Sequence, residues 1–259
     1  MEIKLYFIKV LLIILPFLFN YASAKAAETP VIAAAASIKF ALQDIAEAFR
    51  QDTGKSVRLS FASSGNLTRQ IQQGAPFELF LSANTAYINQ LQQQKLAQNQ
   101  KIVYALGRLV LLTTMTSPLT LDEELQGIRQ ALQTGKLKYF AIANPELAPY
   151  GVAAQEVLQH QQLWPPIQSH LVLGENVAQA TQFTASGAAQ VGLVSYSLAL
   201  APQLKNKIRF VLIPQTFHQP LAQTMALLNP AGNTAKSFYQ YMQQHKAQQI
   251  LNRYGYSPP

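Results

Sequence analysis

Four times in this 259-residue chain a short apolar run ends in small, polar or hydroxyl residues and passes directly into a helical pattern. The segments are residues 31–37 (VIAAAAS), 59–65 (LSFASSG), 140–151 (FAIANPELAPYG) and 171–177 (LVLGENV). Repeated strand–turn–helix units restrict the chain to layered α/β architectures. They also restrict its chemistry. The first turn of a helix carries N–H groups with no intrahelical acceptor, and together with a serine hydroxyl they favour an anion. With no other catalytic or metal signature in the chain, four such turns suggest a single converging oxyanion site.

The alternation runs through most of the chain and predicts α/β layers with mostly parallel sheets. The clearest helix is expected over residues 37–52, where Ile38, Ala41, Leu42, Ile45, Ala48 and Phe49 share a face. Ser37 stands at its N-cap and Gly54 lies just past its end. Strands are expected at 57–61 and 78–82, around a short helix at 67–73 that Gly74 stops. Further strands are read at 109–113, 139–143, 171–173, 191–194 and 209–213, with helices at 122–133, 152–161 and 178–184. Residues 234–254 place Phe238, Tyr241, Met242, Ile250, Leu251 and Tyr254 on one helical face. The glutamine-rich stretch 90–100 (QLQQQKLAQNQ) has leucines at helical spacing and reads as a solvated helix face. No linker rich in Gly, Ser or Pro separates two continuous domains.

Lys4 and Lys9 precede an unbroken apolar run at 10–19, and Ala22-Ser23-Ala24 has the small-residue pattern of a cleavage site. Residues 1–24 therefore read as a secretory signal peptide, too short to span a bilayer, with a second possible cut at Ala26. The mature chain is expected to be soluble and exported. With no cysteine it is neither a cysteine-linked lipoprotein nor a disulfide scaffold. The formal charge of +8 falls to +7 when the signal takes away two lysines and one glutamate. A positive balance steers anions. The basic residues are scattered, without runs or interleaved aromatics, which argues against nucleic-acid binding.

Enzyme motifs are missing: there is no G-x-S-x-G elbow, no P-loop and no G-x-G-x-x-G fingerprint. His160, His170, His218 and His245 lack zinc-site spacing and read as surface residues. The expectation is a binding protein rather than an enzyme, with no cofactor.

Several segments in order carry a resemblance: AAAAS at 33–37, FASSGNLTRQIQQGAPFELFLSA at 61–83, NPELAPYG at 144–151, GENVAQA at 174–180, SGAAQVGLVS at 186–195 and RYGY at 253–256. Together they resemble the periplasmic molybdate-binding receptors of bacterial ATP-binding-cassette importers, over essentially the whole mature chain. The resemblance implies a two-lobed periplasmic-binding-protein fold, each lobe a central mostly parallel sheet flanked by helices, with the ligand in the interlobe cleft. Lobe I is expected at residues 29–107 and 218–259, and lobe II at 108–217. The resemblance implies that Ser37 and Ser64 bind the anion through hydroxyl and amide groups, and Tyr150 and Val177 through their amides. One branch of the family adds a tyrosine hydroxyl after its G-I-V segment; here Ser195 occupies that place, with Tyr196 one residue later, so Ser195 is a further candidate.

The implied ligand is molybdate, with tungstate as a second, and the implied partner is the importer's membrane permease, met in the periplasm by a monomeric receptor. Donor-only chemistry suits these dianions, because near neutral pH every oxygen accepts. Phosphate keeps a proton and would need an acceptor. A receptor of the same fold for sulfate or phosphate is the alternative. An enzyme on a similar scaffold, the porphobilinogen-polymerising one, needs a cysteine that this chain lacks. Each site residue also has an ordinary role open to it. Taken alone, Ser37 reads more simply as a helix cap and Asn176–Val177 as a cap and a packing residue, Ser64 as a turn former, Tyr150 as a surface aromatic in a Pro-Gly turn, and Ser195–Tyr196 as a strand end.

Overall fold

The computed structural model describes residues 29–259; the expected signal segment and both cleavage positions, Ala24 and Ala26, lie outside the described residues. The strands are β1 (Val31–Ala35), β2 (Arg58–Ala62), β3 (Phe77–Ser82), β4 (Ala97–Gly107), β5 (Leu109–Thr114), β6 (Phe140–Ala143), β7 (Leu171–Gly174), β8 (Val191–Ser195), β9 (Ile208–Leu212) and β10 (Leu221–Leu228). They form two five-stranded sheets, ordered β2-β1-β3-β10-β4 and β7-β6-β8-β5-β9. The helices are α1 (Lys39–Thr53), α2 (Ser64–Gln72), α3 (Thr85–Gln93), α4 (Gln126–Gln133), α5 (Pro149–His160), α6 (Trp164–Ile167), α7 (Val177–Ala185), α8 (Tyr196–Ala199), α9 (Asn233–Tyr241) and α10 (His245–Arg253).

Each sheet is the centre of one lobe. The expected parallel pairing holds for β2-β1-β3 and for β7-β6-β8, whereas β10 is antiparallel to β3 and β4, and β5 is antiparallel to β8 and β9. The sheets are thus mixed, and the reason is topological. β5 and β10 are the strands by which the chain enters a lobe from the cleft, so they start where the other strands end. All the remaining strands point their carboxyl ends at the cleft, the place where open α/β sheets bind ligands.

Period-two alternation in the first sheet sorts side chains onto two helical layers. Ile32, Ala34, Leu79 and Leu81 pack with α1, α9 and α10 through Leu42, Ile45, Phe49, Phe238 and Leu251. Ala33 and Phe80 face the other way, onto Leu67 and Ile71 of α2 and Ile88 and Leu91 of α3. The C-terminal helices are pinned to α1 by Tyr241 OH donating to Asp52 (2.7 Å), Tyr254 OH donating to Asp44 (2.9 Å) and the Lys246–Asp52 pair (2.7 Å). Phe49 meets the rings of Phe238 and Tyr241 edge-on at 5.1 and 5.3 Å.

Some expectations are corrected. The first helix does not start at Ser37: a 3-10 turn over Ala36–Ile38 comes first, Ile38 is the N-cap of α1, and no side chain caps it. The stretch 90–100 is not one helix face. α3 ends at Gln93, Lys95 turns the chain with φ 59°, and β4 begins at Ala97. Residues 234–254 are two helices rather than one, broken between Tyr241 and His245. α4 begins at Gln126 rather than residue 122, because Asp122 stays outside and its carboxylate accepts the Gln126 and Gly127 N–H groups, both at 2.8 Å.

Candidate functional site

Ser37, Ser64, Tyr150 and Val177 all line one small cavity between the lobes, of about 10 Å³. That is room for about one water-sized sphere, far below the ~300–1,000 Å³ of pockets for larger organic ligands. Ala35, Ala36, Ala62 and Ala83 complete the lobe I wall, and Ala148, Pro149 and Asn176 the wall from the other lobe. No Lys, Arg, Asp or Glu is among the lining residues. A much larger cavity of about 850 Å³ lies at the opposite end of the first sheet, near Val31, Arg58 and Phe77. It sits at the amino ends of β1, β2 and β3, away from the converging helix starts.

Local capping decides which donors face the cavity. At the start of α2, Ser63 is the N-cap and its Oγ accepts the Asn66 N–H at 3.3 Å. The Gly65 N–H goes to the Leu147 carbonyl and the Leu67 N–H to the Ser63 carbonyl, at 2.9 and 3.0 Å. The Ser64 N–H is left as the unclaimed donor of this turn. Ser64 Oγ accepts the Ala83 N–H at 3.0 Å, which leaves its single proton free to donate. At α7, Asn176 Oδ1 takes the N–H groups of Ala178 and Gln179 at 3.0 and 3.1 Å, leaving that of Val177. At α5 the Ala148 carbonyl takes the Gly151 and Val152 N–H groups at 2.8 and 3.1 Å. Pro149 has no N–H, so Tyr150 supplies the unclaimed one.

Ser37 lies in the 3-10 turn after β1, buried, and its Oγ has no hydrogen-bond partner among the described residues. It is therefore free for a ligand rather than used as a cap. Asn176 caps α7 as its ordinary reading has it, and that cap is what isolates the Val177 amide. Tyr150 is not a surface aromatic: it is only 2% exposed. Ser195 is fully buried at the end of β8 but does not line the cavity. Tyr196 begins α8 and packs edge-on against Phe210.

A group of buried hydroxyls behind the cavity was not foreseen from the sequence. Tyr104, Tyr150 and Tyr256 are all enclosed there, and burial pushes the phenols of Tyr104 and Tyr150 well above their ordinary value and that of Tyr256 to about 12. The sequence singles out Tyr150 for its amide and Tyr256 as the last residue of the RYGY segment, but nothing in it points to their phenols or to Tyr104. His218 is likewise buried rather than superficial, 8% exposed near the hinge. Its Nδ1–H donates to the Gln219 carbonyl at 2.7 Å. Burial, with Arg108 nearby, lowers its pKa, against the Gln219 carbonyl and Glu156.

The arrangement is a donor-only cradle: two serine hydroxyls and amides from helix starts in both lobes line one small cavity, with no carboxylate among the lining residues. Residues 30–257 match the family of bacterial extracellular solute-binding proteins. The molybdate-binding protein ModA of Rhodobacter capsulatus is 32% identical over 93% of this chain and 93% of its own. The molybdate-binding protein ModA of Azotobacter vinelandii is 35% identical over 90% of this chain and 91% of its own. The solved Azotobacter vinelandii periplasmic molybdate-binding protein has a TM-score of 0.81 at 30% identity, covering 89% of this chain and 99% of that one. The sulfate-binding protein SubI of Mycobacterium tuberculosis, with a TM-score of 0.70 at 16% identity over 89% of this chain and 86% of that one, shares the fold alone. The chain belongs to the bacterial extracellular solute-binding protein family, on the branch of the ModA proteins.

Proposed function

We propose that this protein is a periplasmic receptor that captures molybdate, and tungstate as a near-identical dianion, and hands it to the membrane permease of an ATP-binding-cassette importer. The observation that carries the reading is the convergence of Ser37, Ser64, Tyr150 and Val177 on one small uncharged cavity. Four fully deprotonated oxygens need donors only, and this lining offers hydroxyls and amides. Hydrogen bonds to a charged group contribute about 1.5–3 kcal/mol each. Around six of them exceed the roughly 8 kcal/mol of micromolar binding after ordering costs.

In this reading the ligands are the hydroxyls and amides of Ser37 and Ser64 and the amides of Tyr150 and Val177, with Ser195 behind them. Residues 29–107 and 218–259 move as one lobe and residues 108–217 as the other, as a monomer without cofactor or catalytic step. The export signal over residues 1–24 is removed near Ala24 or Ala26. The molybdate binding for which the ModA relatives are named supports the substrate class. Calorimetric titration with molybdate, tungstate, sulfate and phosphate tests it. Tight binding of molybdate and tungstate with no uptake of phosphate is expected; preferred binding of phosphate would overturn it.

A further inference from the structure

Behind the cavity the lobes meet through hydroxyls rather than charges. Ser197, in α8, donates its Oγ–H across the cleft to the carbonyl of Ser37. Tyr256 OH lies 3.2 Å from Ser197 Oγ. The Ser197 hydroxyl is thus shared between the Ser37 carbonyl and the Tyr256 phenol oxygen, to both of which it is placed to donate. Tyr150 reaches the same place from α5. Its amide is at the cavity, while its phenol runs back to the hinge, where the oxygen stands 2.2 Å from the position a Cβ on Gly107 would take. Ser37 and Tyr150 line the same cavity, and the Ser37 and Ser195 hydroxyls are buried as the Tyr150 phenol is. Yet Ser37 Oγ, Tyr150 OH and Ser195 Oγ have no hydrogen-bond partner among the described residues.

A serine hydroxyl has one proton and can turn it either way. If Ser37 turned its proton toward the phenols, it would offer an acceptor to the cavity, which an acceptor-only anion cannot use. A phenol is the stronger acid, so between Tyr150 and Ser37 the phenol is the better donor. Once Tyr150 donates to Ser37 Oγ, the Ser37 proton is left for the anion, and each bond polarises the next. We propose that the Tyr150 hydroxyl is a positioning group for anion selectivity, donating to Ser37 Oγ in the closed protein and so fixing Ser37 as a donor to the ligand. The inference rests on the oxyanion-receptor reading above. It also assigns a reason to tyrosine at this position: any residue but proline supplies the amide, whereas only a long side chain ending in a hydroxyl spans from the α5 start to the hinge. Gly107 belongs to the same device, because a side chain there would occupy the place of the phenol oxygen.

The test is a double-mutant cycle by titration calorimetry with molybdate, using the mature protein, Tyr150→Phe, Ser37→Ala and the double variant, beside thermal melts without anion. Tyr150→Phe is expected to melt like the wild type and bind about tenfold more weakly. In the Ser37→Ala background the same change is expected to cost no more than about twofold, because its target has gone. Unchanged binding by Tyr150→Phe, or an equal loss in both backgrounds, would overturn the proposal. If Tyr150→Phe does not fold, Gly107→Ala displaces the phenol oxygen instead, and the same cycle with Ser37→Ala decides. A wild type that binds no molybdate would remove the receptor reading and this inference together; a wild type that binds, with no coupling, removes only the inference.

Discussion

The Gly65 amide donates to the Leu147 carbonyl at 2.9 Å, so the first turn of α2 in one lobe is tied backbone to backbone to the loop before α5 in the other. A Cβ on Gly65 would stand 2.7 Å from that same oxygen. The contact is adjacent to Ser64 and three residues before Tyr150, so the lobes touch beside the ligand cavity. Gly65→Ala is compatible with α2 itself, since alanine favours a helix over glycine by roughly 1 kcal/mol. Its cost falls on closure. The variant is expected to melt at or above the wild-type temperature yet lose at least about tenfold in molybdate affinity, one charge-independent cross-lobe hydrogen bond being worth about 1 kcal/mol before any steric cost. Small-angle scattering at saturating molybdate checks the cause: a radius of gyration that still contracts as in the wild type would show that Gly65 does not limit closure.

The two cavity serines, Ser37 and Ser64, are expected to separate binding from stability. Ser64→Ala removes a donor to the dianion, a loss of about 1.5–3 kcal/mol or roughly ten- to a hundredfold in affinity. It also strips the Ala83 N–H of its acceptor, so the melting temperature should fall as well. Ser37→Ala is expected to lose comparable affinity with no fall in melting temperature, because the Ser37 hydroxyl caps nothing. Ser64→Asp sets a like charge against the ligand and is expected to abolish binding in a folded protein. Near wild-type affinity in Ser64→Asp would place the site elsewhere.

Affinity is expected to be flat between about pH 6 and pH 9, since amides and hydroxyls do not titrate there. The phenols around Ser37 reinforce this, because burial holds Tyr150 and Tyr104 well above their usual value and Tyr256 near 12. Titrations at four pH values across that range settle the point; a step near neutrality would implicate an ionising group at the cavity.

Stability follows a different pH course. The pKa of His218 in the folded protein is lowered below its ordinary 6.5, chiefly by burial, with Arg108 adding to it. The unfolded chain therefore binds this proton more readily than the folded one as pH falls below about 6.5. Its contribution is complete above that value and declines toward the depressed folded pKa. Urea unfolding at pH 7.5 and pH 5.5 is expected to show the loss, and His218→Gln to shrink it; an identical drop in the variant would exclude His218 as the source.

Ser195→Ala is expected to hold molybdate affinity within about twofold, as the residue does not line the cavity. Its unpartnered buried hydroxyl also makes a rise in melting temperature the expected direction. A tenfold loss in calorimetry would make Ser195 a ligand.

Much of this molecule was legible because its signals are local. The faces of α1 and the turns at Ser64, Tyr150 and Val177 each declare themselves within a few residues. What was missed depends on neighbours far along the chain. β4, AQNQKIVYALG, is polar because it is the edge of its sheet, and β10, LAQTMALL, has no alternation because both its faces are buried, Met225 and Leu227 in one core cluster and Ala226 and Leu228 in the other. The Ser37 cap failed because a 3-10 turn took the place of the first helical turn. The hydroxyl group of Tyr104, Tyr150, Ser197 and Tyr256 is assembled from four separated segments, and no spacing rule reaches across them.

The position of β10 between β3 and β4 has a consequence for how the chain matures. Synthesis and threading through a membrane both deliver the amino end first. By the time residue 212 emerges, every strand of the second sheet is present, whereas β4 still lacks any partner in the first. The lobe that begins the chain is therefore the last to be completed, and its nascent form leaves β3 and β4 without their shared partner until β10 arrives. A chaperone that guards such an intermediate would have to shield those edges and could ignore the second lobe.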